Sequence, residues 1–348
     1  MTVLSGISII IPYKDQPVLL EKLLESMRAN APQLPPIEIL VMDDHSKLFP
    51  DELCATWGAR AIPVEYGRGP AHARNQGAVL AVYDWLLFLD SDVIVPAGFF
   101  EQIAAAIECH PELDALSFIN QAYEPSDPAV RNFGAAIEHF WFTGNFAGDT
   151  CFAPIRGFTT RNGFVRKSAF EAVQGFDTAF VTNAHEDYDF GKRLSLTHTT
   201  LLCRHPLPYH RFPAALTRLI RNYWVRIGLF VPYYFVHRPV LDKTQTSPHE
   251  ALLRVVGLAG MFWLLLAMLP LPGRTAWVGL SLISVMLYIA GVWRFLAMAR
   301  RVSGTWRFSM LCLPIHYLSS VVIVAGGCWA ACAYAIRPRR HNLRSAIH

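Results

Sequence analysis

Along the first 120 or so residues, short β-branched runs alternate with runs whose apolar residues recur every three or four positions. That is the pattern of strands alternating with amphipathic helices. "ISIII" at 7–11 reads as a strand; Leu19, Leu20, Leu23, Leu24 and Met27 then repeat at helical spacing, with Asp15 and Pro17 as start signals. "IEILVMDD" (37–44) is the next strand. "RAIPVEY" (60–66) is a third, leading through Gly67 and Gly69 into a helix over "PAHARNQGAVLAVYD". The strand "WLLFLDSD" (85–92) follows, then a helix over 96–109 and a strand at "DALSFI". The alternation predicts an α/β domain with a largely parallel sheet. Between 120 and 165 the period fades and glycine, proline and aromatic residues mix, which predicts mostly loop.

The second half reads differently. Leu216, Leu219, Ile220, Tyr223, Trp224 and Ile227 fall at helical spacing, while Arg218, Asn222 and Arg226 mark another stripe. This predicts an amphipathic helix, either lying in a membrane interface or packed on the first domain. Three apolar runs follow, Val255 to Leu271, Ala276 to Trp293 and Phe308 to Ile336. Each approaches or exceeds the ~20 residues that a bilayer core demands, so they predict membrane helices. The last run, interrupted by Pro314 and His316, reads either as one span or as a hairpin. The expected organisation is therefore a domain over 1–212, an amphipathic helix and linker over 213–250, about three apolar spans over 251–337 and a basic tail over 338–348.

Composition sharpens this picture in three respects. The chain has 348 residues, 53% of them hydrophobic and 17% charged, and the apolar excess lies in the C-terminal part. Its 31 basic and 27 acidic residues lack the excess expected of a nucleic-acid binder, so a lipid bilayer is the expected partner instead. The seven cysteines have no zinc-site spacing and read as reduced structural thiols. "MTVLSGISIIIPYKD" carries no basic leader, so the first half is expected in the cytosol of an integral protein of a bacterial inner membrane. "PLPGRT" then lies outside and "ARRVSGTWR" inside, which satisfies the positive-inside rule.

Two acidic pairs stand where chemistry is expected. Asp43 and Asp44 close one strand, and Asp90 and Asp92 close another. In an open α/β sheet ligands bind beyond the carboxyl ends of the strands. Four carboxylates gathered at one edge repel one another, and a divalent cation, Mg²⁺ or Mn²⁺, compensates them economically while also holding a diphosphate. A lone Asp-x-Asp would more often be a solvated turn.

The ordered stretches "SIIIPYKDQPVLLEKLLESM", "EILVMDDHS", "GPAHARNQGAVLA", "WLLFLDSD" and "GFVRKSAFEAVQGFDTAFVTNAHEDYDFGKRL" resemble the successive motifs of the family 2 glycosyltransferases over about residues 6–212. The resemblance implies a GT-A fold, of the nucleotide-diphospho-sugar transferase type, that binds a nucleotide-diphospho-sugar donor. By the same resemblance Pro12, Tyr13, Asp15, Asp43, Asp44, Arg74, Asp90 and Ser91 face the donor, with Lys14 where the family often sets an aromatic residue against the base. Asp92 and Asp90 match the metal motif, and His210 falls near a family histidine that approaches the metal or diphosphate. "HEDYDFGKRL" matches the segment supplying the catalytic base, with Asp187 first and Glu186 second. Three functions follow as expectations. One is an inverting transferase acting on a lipid-linked or surface-glycan hydroxyl, another a polyprenyl-phosphate sugar synthase, and the third a non-catalytic nucleotide-sugar-binding partner in a glycan assembly complex. The segment from Arg156 to Arg166 is expected to be a polar and aromatic loop on the acceptor side.

Overall fold

The computed structural model describes residues 4–30, 36–65, 69–122, 129–180, 185–237 and 247–336. Gly67, the linker at 238–246 and the basic tail lie outside the described residues. Two compact units result: Met1–Tyr123 with Asn145–Arg211, and Glu124–Gly144 with Phe212–His348.

The first unit is built on strands β1 (Ile7–Tyr13), β2 (Ile37–Asp43), β3 (Arg60–Pro63), β4 (Trp85–Leu89), β6 (Leu113–Phe118), β7 (Phe152–Pro154), β8 (Asn162–Arg166) and β9 (Thr199–Cys203). They form one sheet in the order β3-β2-β1-β4-β8-β6-β9-β7. The β3-β2-β1-β4 half and the β6-β9 pair are parallel; β8 runs antiparallel to both its neighbours and β7 to β9. The sheet is largely parallel, as the alternation of strands and helices predicts. A separate ribbon pairs β5 (Val93–Ile94) antiparallel with β10 (Tyr209–His210).

Successive residues of a strand point to opposite faces, and here they divide cleanly between two cores. Ile7, Ile9 and Ile11 with Trp85, Leu87 and Leu89 face one core; Ile10 with Leu86 and Phe88 faces the other. Helices α1 (Pro17–Ala29), α2 (Asp51–Thr56) and α4 (Phe99–Cys109) close the first face with Leu20, Leu23, Cys54, Phe99 and Ile103. Helices α3 (Pro70–Leu80), α6 (Lys167–Ala172) and α7 (Glu186–Leu194) close the second. There Phe88 meets Phe176 at 5.2 Å, and Phe176 meets Phe190 at 4.6 Å between ring centroids. Pairs in this range add ~0.5–1.5 kcal/mol beyond their burial. One aromatic cluster therefore ties β4, which ends at the Asp90 turn, to α7, which begins at Glu186.

The second unit contains α5 (Ala129–Thr143), α8 (Leu216–His237), α9 (Pro248–Met268), α10 (Arg274–Ser303) and α11 (Trp306–Ile336). α9, α10 and α11 are each long and apolar enough to cross a membrane. α11 is one continuous helix through Pro314, so of the two readings of the last apolar run the structure takes the single helix. α8 packs along α11, where Ile227 and Trp224 lie over Gly326 and Phe235 stacks on Tyr334 at 5.2 Å. α5 corrects the expectation of loop between 120 and 165, as β7 and β8 also do. Its Phe133, Ala136, Ile137 and Trp141 do repeat at helical spacing, but Gly134 and the polar residues around them blur the stripe. Phe133 and Phe140 pack on Phe295 of α10, at 5.8 and 5.7 Å, so α5 belongs to this unit rather than to the expected 1–212 domain.

Inside the bundle, polar groups satisfy one another. Arg254 donates to Glu250 at 3.1 Å and the Tyr288 hydroxyl meets His316 Nδ1 at 2.7 Å. Such pairing is what charged groups near a bilayer core require.

Candidate active site at the carboxyl edge of the sheet

Parallel pairing of β2, β1 and β4 brings their carboxyl ends to a common edge. At β1 and β2 the chain is clipped by its own acids. Tyr13 stands opposite Asp43, and the Asp44 amide donates to the Tyr13 carbonyl at 2.9 Å. Asp43 is buried and accepts the Ser46 amide at 3.3 Å. Asp15 accepts the Lys47 amide at 2.7 Å while its own amide donates to the Ser46 hydroxyl at 3.0 Å. Asp15 thus fixes one edge loop to the next. Asp44 is half-buried, with Lys14 and His45 each 3.9 Å from a carboxylate oxygen. Pro12 is half-buried in β1. Tyr13 is 3% exposed, and burial pushes its phenol up, so what it offers the edge is backbone.

Beyond β4 the chain turns. The Asp90 amide donates to the Arg161 carbonyl at 3.2 Å and the Val93 amide to the Asp90 carbonyl at 3.1 Å. Asp90 and Asp92 flank the buried Ser91 in this turn. Pairing of β5 with β10 then sets His210 opposite Val93. His210 Nε2 comes to 3.5 Å from Asp92 Oδ1, and one ligand atom each from Asp90, Asp92 and His210 lies within 4.8 Å of the others. Burial, and next the charge of Asp90, push the Asp92 carboxyl up to about 7, against the opposing pull of Arg161 and Arg211. Two carboxylates and an imidazole whose ligand atoms lie this close together can hold a divalent cation, and an oxygen-rich set suits Mg²⁺ or Mn²⁺.

The second acidic segment joins this edge through one arginine. Arg74 of α3 is 2% exposed and donates from Nη2 to Asp90 Oδ1 at 2.6 Å and from Nη1 to Glu186 Oε1 at 3.2 Å. Glu186, 3% exposed, opens α7, and Asp187 beside it is partly exposed, its Oδ1 accepting the Tyr188 amide at 2.8 Å. Burial first and the Asp187 charge second push Glu186 up to about 7, while Arg74 pulls it down. The ion pair and the raised value point in opposite directions. The guanidinium lies nearer Asp90, so Glu186 is the acid whose lost hydration is less fully compensated. His185, just before the helix, adopts a left-handed backbone with φ 78°.

The structure therefore gathers Asp90, Ser91, Asp92, His210, Arg74, Glu186 and Asp187, with Asp43, Asp44 and Asp15 further along the same edge. Reasoning from sequence missed Arg161 and Arg211, whose charges act on Asp92. Each is adjacent to a legible marker, Arg161 in "TRNGF" and Arg211 after His210. The segment 156–166, expected as loop, ends in β8.

Residues 8–173 match the family model "Glycosyl transferase family 2". An uncharacterized glycosyltransferase of Haemophilus influenzae is 26% identical over 219 residues, which cover 59% of this chain and 68% of that protein. The validoxylamine A glucosyltransferase of Streptomyces hygroscopicus subsp. jinggangensis is 27% identical over 222 residues, 54% of this chain and 51% of the other. This chain thus spans about half the length of the Streptomyces relative. Among solved structures, a mannosyltransferase from Pyrobaculum calidifontis in complex with GDP-Man and Mn²⁺ superposes with a TM-score of 0.54 at 13% identity, over 93% of this chain and 87% of that one. At that identity the likeness is one of fold.

Proposed function

For a chain that carries a family 2 glycosyltransferase domain of GT-A fold, we propose an inverting transfer of a sugar from a nucleotide-diphospho-sugar to a hydroxyl of a membrane-associated acceptor, lipid-linked or surface glycan. The observation that carries this reading is the convergence of Asp90, Asp92 and His210 with Glu186 and Asp187 through Arg74. Asp43, Asp44 and Asp15 at the ends of β1 and β2 take the nucleoside side of the donor. Asp92, Asp90 and His210 would hold a divalent ion, Mg²⁺ or Mn²⁺. When bound, it supplies Lewis-acid compensation for charge on the departing nucleoside diphosphate. Arg161 and Arg211 add positive charge on the same side.

Asp187 accepts the proton of the attacking hydroxyl as general base. It suits the role because it is partly exposed while neighbouring Glu186 is buried and held by Arg74. A single displacement at the anomeric carbon inverts its configuration. A retained base favours a hydroxyl acceptor over a lipid phosphate, which is already anionic near neutral pH and needs no proton removed. The three apolar helices support a bilayer location; the proposal sets it in a bacterial inner membrane with the catalytic domain on the cytoplasmic side.

The test is release of nucleoside diphosphate from a panel of donors by membranes containing the chain. Mn²⁺ or Mg²⁺ is added or withheld, and bare polyprenyl phosphate is compared with glycosylated lipids. Metal-dependent release with a saccharide acceptor supports the proposal. Release with bare polyprenyl phosphate alone selects the sugar-phosphate synthase instead. Donor binding without release makes the chain a silent partner.

A further inference from the structure

Arg74 departs from the donor contact that the family resemblance implies. Its side chain is almost wholly enclosed, and its two terminal nitrogens donate to two different acids, Asp90 at 16 residues' distance in sequence and Glu186 at 112. The guanidinium is a planar fork whose donors have fixed spacing. Holding one carboxylate on each arm fixes where the start of α7 stands relative to the Asp90 turn. Packing supports the fork from beneath: Arg74 lies over the Phe176 ring at 5.8 Å, and Phe176 touches both Phe88 of β4 and Phe190 of α7. Gly69, with φ 84°, turns the chain into α3 and so delivers Arg74 to this place.

Asp90 and Glu186 are the two acids that Arg74 holds, Asp90 also offering a ligand atom toward Asp92 and His210, while Asp187 stands beside the fork, partly exposed. We propose that Arg74 is a positioning residue that sets the base-bearing start of α7 against the metal-motif turn, rather than a residue that touches the donor. The inference rests on the transferase reading above and deepens it. It carries a further consequence. A fixed positive charge beside Asp90 opposes cation binding, so the protein holds its ion less tightly than its acids alone would.

The test uses the full chain in detergent or membranes, with Mn²⁺ binding followed by electron paramagnetic resonance without donor, and with nucleoside-diphosphate release. Arg74→Lys keeps the charge, but one ammonium cannot reproduce the fork. The expected result is a kcat lower by about tenfold or more, with donor KM and Mn²⁺ affinity each within about threefold of wild type. Arg74→Gln removes the charge and should bind Mn²⁺ about threefold or more tighter. Where Arg74→Gln does not fold, as thermal melting reports, Arg74→Lys decides alone. A raised donor KM with kcat intact in Arg74→Lys would make the arginine a donor contact and overturn the proposal. Unchanged kinetics in Arg74→Lys, or weaker Mn²⁺ binding in folded Arg74→Gln, would overturn it equally. If wild type itself neither binds Mn²⁺ nor releases nucleoside diphosphate, the transferase reading fails instead.

Discussion

Gly191 stands four residues after Asp187, one turn further along the same face of α7. A Cβ at this position would fall 2.5 Å from the Gly157 carbonyl carbon, 2.7 Å from the Gly157 Cα and closer still to the Phe158 amide nitrogen. All three obstacles are backbone, which cannot rotate aside. Ordinary contact begins at 3.4 Å, so helix or loop must yield by at least about 0.9 Å, the difference between 3.4 and 2.5. The loop is pinned. The Thr159 amide donates to the Ser117 hydroxyl at 3.1 Å, and the Thr159 hydroxyl donates to Asn162 at 2.7 Å. Gly191→Ala therefore moves the helix, and Asp187 with it. Overpacking costs ~1–3 kcal/mol, and the better helix propensity of alanine returns ~1 kcal/mol, for a net loss of roughly 0–2 kcal/mol. Catalysis suffers more, because a displacement of ~1 Å at a reacting group can cost about a hundredfold. The assay is nucleoside-diphosphate release at saturating donor and acceptor, with a thermal melt of the same sample. A folded Gly191→Ala protein whose kcat stays within about threefold of wild type would refute the reasoning that the close approach of α7 to residues 157–158 positions the base.

Three further outcomes follow. Asp187→Asn should lower transfer to a hydroxyl acceptor by ~10²–10⁴-fold while Mn²⁺ binding, measured by electron paramagnetic resonance, is kept. Glu186 holds its proton to about pH 7 in the folded chain, whereas the unfolded chain releases it near ~4.3. Its contribution to stability is full below the lower value and lost as pH rises through the upper one. Melts of wild type and Glu186→Gln from pH 5 to pH 8 should therefore diverge in favour of the variant, by up to ~3 kcal/mol. Asn162 is fully buried and accepts from the Phe118 amide at 3.3 Å and the Thr159 hydroxyl at 2.7 Å. Asn162→Ala removes that acceptor from both and should destabilise the domain by ~2–4 kcal/mol, read as a lowered melting temperature.

Much of this was legible in the sequence, for a physical reason. Strands such as "ISIIIPY" and "WLLFL" are buried on both faces, so they read as continuous apolar runs, and acids that end such runs must lie at a sheet edge. The helix α5 was not legible as such. Its buried residues include alanines and a glycine that carry little apolar signal, and its partner on α10 lies far along the chain. His210 was placed near the metal motif by resemblance alone; the reason it arrives there is a two-residue ribbon with Val93, too short to announce itself in a pattern. Nor could spacing reveal the Arg74 fork, because its two acids come from elements brought together only by the fold. Tyr13 shows the converse limit. Its motif suggested a donor contact, but alternation along β1 turns its ring into the core.

The central claim is that Asp92, Asp90 and His210 form one cation site that serves a base on α7. Mn²⁺ titration of the purified full chain, followed by electron paramagnetic resonance, tests it most directly in wild type, Asp92→Asn and Asp187→Asn. The account predicts saturable binding in wild type and in Asp187→Asn, with binding lost in Asp92→Asn. Equal Mn²⁺ binding by Asp92→Asn and wild type would contradict it.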